Sequence, residues 1–427
     1  MNRVRIHQTR LSGSVTPPPS KSAAHRGIIC AALADGCSHI APYADSKDMQ
    51  ATTNVMRALG TFIRQEGKSL IIDGSRTFSK TTGTLDCLES GSTLRFIIPI
   101  SSLHGGTWTF IGRGRLAERP LDPYLHCLPQ AGVTCETPPA GGLPLTIHGA
   151  LQAGDFSLPG NVSSQFVTGL LLALPLLQEN SHITLTSPLE SVGYVNLTLD
   201  AMHTFGVTVK SDASGYFIPG GQHYQTRDFT VEADWSQAAF WLVAGALSGP
   251  ISVCGLNTHS KQGDANILKI LEQFGAKITQ QGHTVTVESA PLHGIEIDGA
   301  QIPDLIPVLA TAACFASGTT VIRNAGRLRL KESDRLHMIA KGLNSLGAQV
   351  TEQPDGLTIL GPLQGNPDSM PTLDGANDHR IVMALSIAAA HAGGAEITDA
   401  ESIQKSYPTF FTHLHALVGI SDVVHMG

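Results

Sequence analysis

The stretch HRGIICAALADGCSHI, running from His25 to Ile40, holds an apolar helix, a turn at Asp35-Gly36 and a short strand. The chain writes the same phrase five more times. It reads LRFIIPISSLHGGTWTFI from Leu94, SQFVTGLLLALPLLQENSHITL from Ser164 and SQAAFWLVAGALSGPISV from Ser236. It then reads DLIPVLATAACFASGTTVI from Asp304 and HRIVMALSIAAAHAGGAEI from His379. The turn residues Gly36, Gly105, Asn180, Gly249, Gly318 and Gly393 follow one another at intervals of 69 to 75 residues. A helix that is apolar on nearly every face belongs in a core.

Between these phrases lies a second one: an amphipathic helix that stops at a glycine, then two strands able to pair as a hairpin. It appears as MRALGTFI…SLIIDG, LPQAGVTC…LPLTIHG, MHTFGVTV…YFIPG, LEQFGAKI…TVTVES and LNSLGAQV…LTILG. Its glycines, Gly60, Gly132, Gly206, Gly275 and Gly347, are 69 to 74 residues apart. A sixth copy near HLHALVGI, from His413, is degenerate. Solenoid repeats have shorter periods, so a unit of this length is a small subdomain. Each unit reads β-α-β-α-β-β, with the first helix buried and the second expected outside. The fold class is α/β in the α+β sense: two similar domains, each of three units closed around buried helices.

Two segments are candidates for the crossings between domains. VTPPPSKS, residues 15–22, carries three consecutive prolines, which stiffen a connection. TRDFTVEAD, residues 226–234, lies between the third and fourth hairpins. These place one domain at 16–229 and the other, discontinuous, at 1–15 plus 230–427. The active site is expected in the cleft between them.

Composition narrows the function. Charged residues are 15% and apolar residues 42%, which is a globular balance. The net charge of −7 argues against a nucleic-acid partner, which would ask for a basic face. Small anionic substrates stay open, because a local group of Arg and Lys attracts them inside an acidic protein. The seven cysteines are odd in number and contain no CxxC, so neither a disulfide framework nor a zinc site is expected. Reduced thiols, an N-terminus without a signal-like apolar core, and no run long enough to span a bilayer point to a cytoplasmic, membrane-free protein.

Each buried helix starts with polar or charged groups: Lys21-Ser22 with His25-Arg26, Glu89-Ser90 with Arg95, Ser163-Ser164-Gln165, Asp234 with Ser236, Asp304, and Asn377-Asp378-His379-Arg380. Ordinary N-capping explains the Ser, Asp and Asn residues. It does not explain Lys21, Arg26, Arg95 or Arg380, because cations there oppose the helix macrodipole. An anion bound at those ends would reconcile them. Two basic segments add to this. RLRLKESDR sets Arg327, Arg329, Lys331 and Arg335 around Glu332 and Asp334, and IGRGRLAERP supplies Arg113, Arg115 and Arg119. Arginine forks recognise phosphate and carboxylate, although such runs are more often a solvated surface. No Walker lysine motif occurs, so ATP use is not indicated.

Specific motifs now accumulate: PSKSAAHR from Pro19, SGSTLR from Ser90, AERP from Ala117, SSQF from Ser163, IPD from Ile302, LKESDR from Leu330, NDHR from Asn377 and KSYP from Lys405. Over essentially its whole length the chain resembles the EPSP synthase (3-phosphoshikimate 1-carboxyvinyltransferase) family of enolpyruvyl transferases. The resemblance implies the enolpyruvyl transferase fold, a monomer, and transfer of the enolpyruvyl group of phosphoenolpyruvate to shikimate 3-phosphate with no metal or cofactor. It implies that Lys21, Ser22, Arg26, Ser163, Ser164, Gln165, Ser191, Asp304 and Lys331 bind shikimate 3-phosphate, with Tyr194 nearby. Lys21, Gly91, Arg119, Gln165, Arg335, Arg380 and Lys405 are implied as the phosphoenolpyruvate set. Two positions depart from the family pattern: Glu89 and Arg327 stand at or near places where Asn is common.

The chemistry needs one group to take the hydroxyl proton and another to serve C3 of the enol phosphate. Asp304 is expected in the first role and Glu332 in the second, with Lys21 competing for either. Cations then ease the departure of phosphate. The rival reading within the same architecture is UDP-N-acetylglucosamine enolpyruvyl transfer. It usually carries Lys-Asn where this chain has Lys21-Ser22, and a mobile-loop cysteine where this chain has RGRLAERP. A non-enzymatic rival, a sliding-clamp-like protein, would need a basic inner face.

Overall fold

A computed structural model describes residues 3–363, 370–418 and 424–426. The chain divides into two compact units, Met1–Pro18 with Ala233–Gly427, and Pro19–Glu232. The borders fall three residues beyond those expected from the sequence. Each unit has its own apolar core: Trp235, Trp241 and Phe410 in the first, Trp108, Phe96 and Phe166 in the second.

Among the described residues six four-stranded sheets carry the repeat, three to a unit, and five of them have one plan. An edge strand pairs in parallel with the strand that follows the buried helix, and that strand pairs antiparallel with a hairpin. In the Pro19–Glu232 unit, Asp155–Leu158 runs parallel to Ser181–Leu185, which pairs with Gly215–Ile218 and then Lys210–Ser211. The plan arises because a buried helix linking two parallel strands covers one face of the sheet, while the hairpin needs only a tight turn.

Three sheets take a strand from a distant part of the chain. Gly13–Val15 precedes the helix Lys21–Leu33 in sequence, yet pairs with Ile251–Val253 of its own unit. Asp228–Thr230 precedes the helix Trp235–Ser248, yet pairs with Cys37–Ala41. The sixth sheet lacks a local hairpin. Val4–His7 fills the central position against Gly394–Ile397, and Val424–Met426 pairs on its far side. The degenerate sixth repeat is thus completed by the start of the chain; part of its HLHALVGI motif lies outside the described residues.

The first helix of each repeat is buried as its composition demands. In Trp235–Ser248 only Leu247 is not buried. Two of the second helices are more enclosed than expected, while Ile267–Phe274 keeps Lys269, Glu272 and Gln273 exposed as its amphipathic pattern demands. Lys47–Leu59 packs against both Lys21–Leu33 and Gly91–Ser101, and Val192–Thr204 packs against both Lys21–Leu33 and Ser164–Ala173. The reason is chemical: the inward face of Lys47–Leu59 is lined by Ala51, Thr52, Thr53, Val55 and Met56, residues small or apolar enough to fit between two helices. Its end is sharp. Gly60 takes φ 116°, and a side chain there would meet the Arg76 carbonyl at 2.4 Å.

Candidate functional site

In the first unit four helix starts bring their caps together. Asp234 caps Trp235–Ser248, Asp334 caps Arg335–Ser345, and Asp378 caps His379–Ala392. Asp304 stands just before Ile306–Phe315. Asp304 is held from both sides: Arg335 Nη1 donates to its Oδ1 and Arg380 Nη2 to its Oδ2, each at 3.0 Å. Arg335, 2% exposed, also donates to Glu332 Oε2 at 2.7 Å and through Nε to Asp378 Oδ2 at 2.8 Å. Arg380 reaches Ser236, donating to its hydroxyl at 2.7 Å and its carbonyl at 2.9 Å. Lys405 donates to the Asn377 carbonyl at 2.5 Å, at the entry to the same helix as Arg380.

Electrostatics follow from this packing. Burial alone would raise the Asp304 carboxyl, but Arg380, Lys331 and Arg335 outweigh it and hold the group well below the usual carboxylate range. Burial pushes Lys331 down to about 8, helped by Arg327 and Arg335 and opposed by Asp304 and Glu332. Burial also disfavours the charge on Arg335, but Asp378, Glu332 and Asp304 hold its guanidinium above the ordinary value. The arrangement is therefore a nearly balanced lattice of arginines and carboxylates, able to exchange partners with an incoming carboxylate or phosphate.

The second unit has its own group. Ser20 caps Lys21–Leu33, and Lys21 Nζ donates to Asp48 Oδ2 at 2.7 Å. Ser90 caps Gly91–Ser101, and Ser163 caps Ser164–Ala173. Gly91 lies close against two guanidinium groups: a Cβ there would lie 2.6 Å from Arg119 Nη1 and 3.0 Å from Arg95 Nη1, so a side chain would displace those arginine ends. Arg95 Nη1 donates to Gln165 Oε1 at 2.8 Å, and Gln165 Nε2 donates to Ser92 Oγ at 2.9 Å. Ser191, buried, takes the left-handed φ of 56°, which costs a non-glycine residue on the order of 1 kcal/mol.

The structure thus joins Asp304, Glu332, Arg335 and Arg380 directly, with Lys331 coupled by charge and Lys405 at the same helix start. It joins Gly91, Arg119 and Gln165 in the other unit. The four cations that seemed to await an anion at helix starts already hold protein acceptors, Lys21 and Arg380 as described above. Arg26 donates to Thr198 Oγ1 at 2.8 Å and to the Ser22 and Tyr194 carbonyls at 2.7 Å. Arg95 holds Gln165 and the Pro120 carbonyl. Arg329 is fixed to Asp334 and Glu352, clamping its turn to the neighbouring hairpin. Asp48 and Asp378 escaped the sequence reading as the partners of Lys21 and Arg335, because acids at helix starts look like routine dipole partners.

No helix is long and apolar enough to cross a membrane, among the described residues. Residues 6–414 match the family described as EPSP synthase (3-phosphoshikimate 1-carboxyvinyltransferase). The 3-phosphoshikimate 1-carboxyvinyltransferase of Clostridium acetobutylicum is 44% identical, with 98% of each chain covered. That of Clostridium kluyveri is 43% identical over the whole of both chains. Among solved structures, an EPSP synthase from Acinetobacter baumannii superposes with a TM-score of 0.83 at 25% identity, covering all of both chains. The enolpyruvyl transferase NikO from Streptomyces tendae shares the fold, with a TM-score of 0.80 at 19% identity, over 100% of this chain and 99% of that one.

Proposed function

The chain belongs to the EPSP synthase (3-phosphoshikimate 1-carboxyvinyltransferase) family, and from that premise we propose that it moves the enolpyruvyl group of phosphoenolpyruvate onto the 5-hydroxyl of shikimate 3-phosphate, releasing phosphate. This is the shikimate-pathway step toward chorismate and the aromatic amino acids. Family and relatives do not favour the UDP-N-acetylglucosamine or clamp-like alternatives.

The observation that carries the mechanism is the double hold on Asp304 by Arg335 and Arg380. A carboxylate so strongly stabilised is a poor base. In the proposed reaction the carboxylate of phosphoenolpyruvate competes for the two guanidinium groups. Asp304 then loses compensation, its proton affinity rises, and it accepts the hydroxyl proton as oxygen attacks C2. Glu332 delivers a proton to C3. The tetrahedral adduct then returns a C3 proton to the Glu332 carboxylate as the C2–O bond to phosphate breaks, and Lys21, Arg119, Arg380 and Lys405 offset the charge on the departing group. Lys331, near 8, contributes a cation to the shikimate hydroxyls below that pH. Ser22, Ser163, Ser164, Gln165 and Ser191 complete the sugar-acid phosphate site in this reading, and Arg26 supports it from beneath by holding Ser22 and Tyr194. Gly91 and Gln165 flank Arg119 in the phosphoenolpyruvate set.

Turnover in D2O tests the mechanism. Addition–elimination exchanges C3 hydrogens, so the vinyl methylene of the product gains deuterium only when both substrates are present. Product without deuterium would rule out protonation at C3.

A further inference from the structure

A buried chain of side-chain hydrogen bonds runs through the second unit and ends at the phosphoenolpyruvate helix. His25 Nδ1 lies 2.7 Å from Thr52 Oγ1, and Thr52 Oγ1 lies 2.7 Å from Thr93 Oγ1. Thr93 Oγ1 donates to Ser90 Oγ at 2.8 Å, and Thr93 N–H donates to the same oxygen at 3.2 Å. All four residues are at most 1% exposed. The direction of one bond sets the others. Because Thr93 donates to Ser90, its oxygen accepts from Thr52, and the Thr52 oxygen accepts from His25 Nδ1–H. The imidazole is neutral: burial lowers its pKa well below the ordinary value, and Lys21 and Arg26 lower it further.

The chain forms part of a ladder. Lys21 and His25 are one turn apart on Lys21–Leu33, and Asp48 and Thr52 are one turn apart on Lys47–Leu59. Lys21 bonds Asp48 and His25 bonds Thr52, so two rungs join the two helices. The second rung continues through Thr93 to Ser90, the cap whose next residue is Gly91, with Arg119 against it. Helical threonines commonly bond back to their own helix, as Thr198 does to the Tyr194 carbonyl. Thr52 and Thr93 instead bond each other across helices, and neither bonds back to a carbonyl of its own helix in this chain of contacts.

We propose that His25, Thr52 and Thr93 are positioning residues. They fix the Ser90-Gly91 helix start, and with it the seat of Arg119, relative to the helix that carries Lys21. This rests on the activity proposed above. Removing the Thr52 hydroxyl should loosen the Gly91 end selectively, because Lys21–Leu33 stays anchored by Lys21–Asp48 and by Arg26 on Thr198.

The test compares wild type, Thr52→Val and Thr52→Ser by steady-state kinetics and by shikimate 3-phosphate binding. Thr52→Val should raise KM for phosphoenolpyruvate about tenfold, as befits two lost buried hydrogen bonds. Affinity for shikimate 3-phosphate should stay within about twofold, and Thr52→Ser should restore KM. A KM within about twofold of wild type, or equal losses toward both substrates, would overturn the proposal. If Thr52→Val does not fold, His25→Gln, which keeps a donor for Thr52, and His25→Phe, which does not, make the same comparison. An inactive wild type would overturn the activity and this inference together; an active wild type with an unaltered variant would overturn the inference alone.

Discussion

Replacing Asp378 with Asn removes one charge from the arginine–carboxylate lattice and turns one of its two accepting oxygens into a donor, with almost no change of shape. Asp378 is fully buried and accepts from Arg335 Nε at 2.8 Å, from Ser333 Oγ at 3.0 Å and from the Arg380 backbone N–H at 2.9 Å. Asparagine has nearly the same shape but offers one oxygen and no charge. The Arg335 guanidinium, 2% exposed, then loses the first of its three carboxylate partners. Breaking a buried pair by removing one partner costs about 3–5 kcal/mol. Glu332 and Asp304 remain, so the lower end, about 3 kcal/mol, is expected. For a unit of roughly 200 residues this lowers the unfolding midpoint by about 6–12 °C. Two of the three tryptophans, Trp235 and Trp241, are buried in this unit, so intrinsic fluorescence reports its unfolding. Asp378→Ala should lose a further ~1 kcal/mol, because it also removes the helix cap. A shift below about 2 °C for Asp378→Asn would refute the claim that the lattice holds the helix starts together.

Gly91→Ala places a methyl group 2.6 Å from Arg119 Nη1; KM for phosphoenolpyruvate should rise on the order of tenfold with the variant folded normally, and an unchanged KM would remove Arg119 from the phosphoenolpyruvate set. Asp304→Ala should lower kcat by on the order of 10²–10⁴ while phosphoenolpyruvate affinity holds or tightens, since two arginines are released; a change in KM alone would make Asp304 a binding group. Lys331, with its folded value pushed down to about 8, should impose an alkaline fall in kcat/KM through that pH, and Lys331→Arg should move the fall upward. The sign for stability is the reverse: the unfolded chain holds the lysine proton up to about 10.4, so raising pH from about 8 toward that value should stabilise wild type relative to Lys331→Arg. An alkaline limb that is the same in both proteins would contradict this assignment.

The repeat was legible because its signals are local. Glycines such as Gly60 and Gly275 end helices in the left-handed region, and the apolar runs at Ile28, Leu170 and Ile381 have no polar face to expose. Strand partners were less legible, because period does not name a neighbour. Nothing local to Gly13–Val15 or Asp228–Thr230 tells which parallel strand each will join, and Val4–His7 completes a sheet almost four hundred residues away in sequence. The polar helix starts marked the candidate site, but most acceptors of Arg26, Arg95 and Arg380 are carbonyls and side chains remote in sequence, such as Tyr194, Pro120 and Ser236. Likewise, Thr52 and Thr93 resemble ordinary helix-face threonines until the helices pack. Long-range hydrogen bonds of this kind emerge only with the tertiary fold.

Inorganic phosphate released from phosphoenolpyruvate, followed with shikimate 3-phosphate and, in parallel, with UDP-N-acetylglucosamine as acceptor, tests the proposed activity most directly. The expected result is one phosphate per enolpyruvyl ether formed with shikimate 3-phosphate and none with the nucleotide sugar. Release with the nucleotide sugar alone, or with neither acceptor, would contradict it.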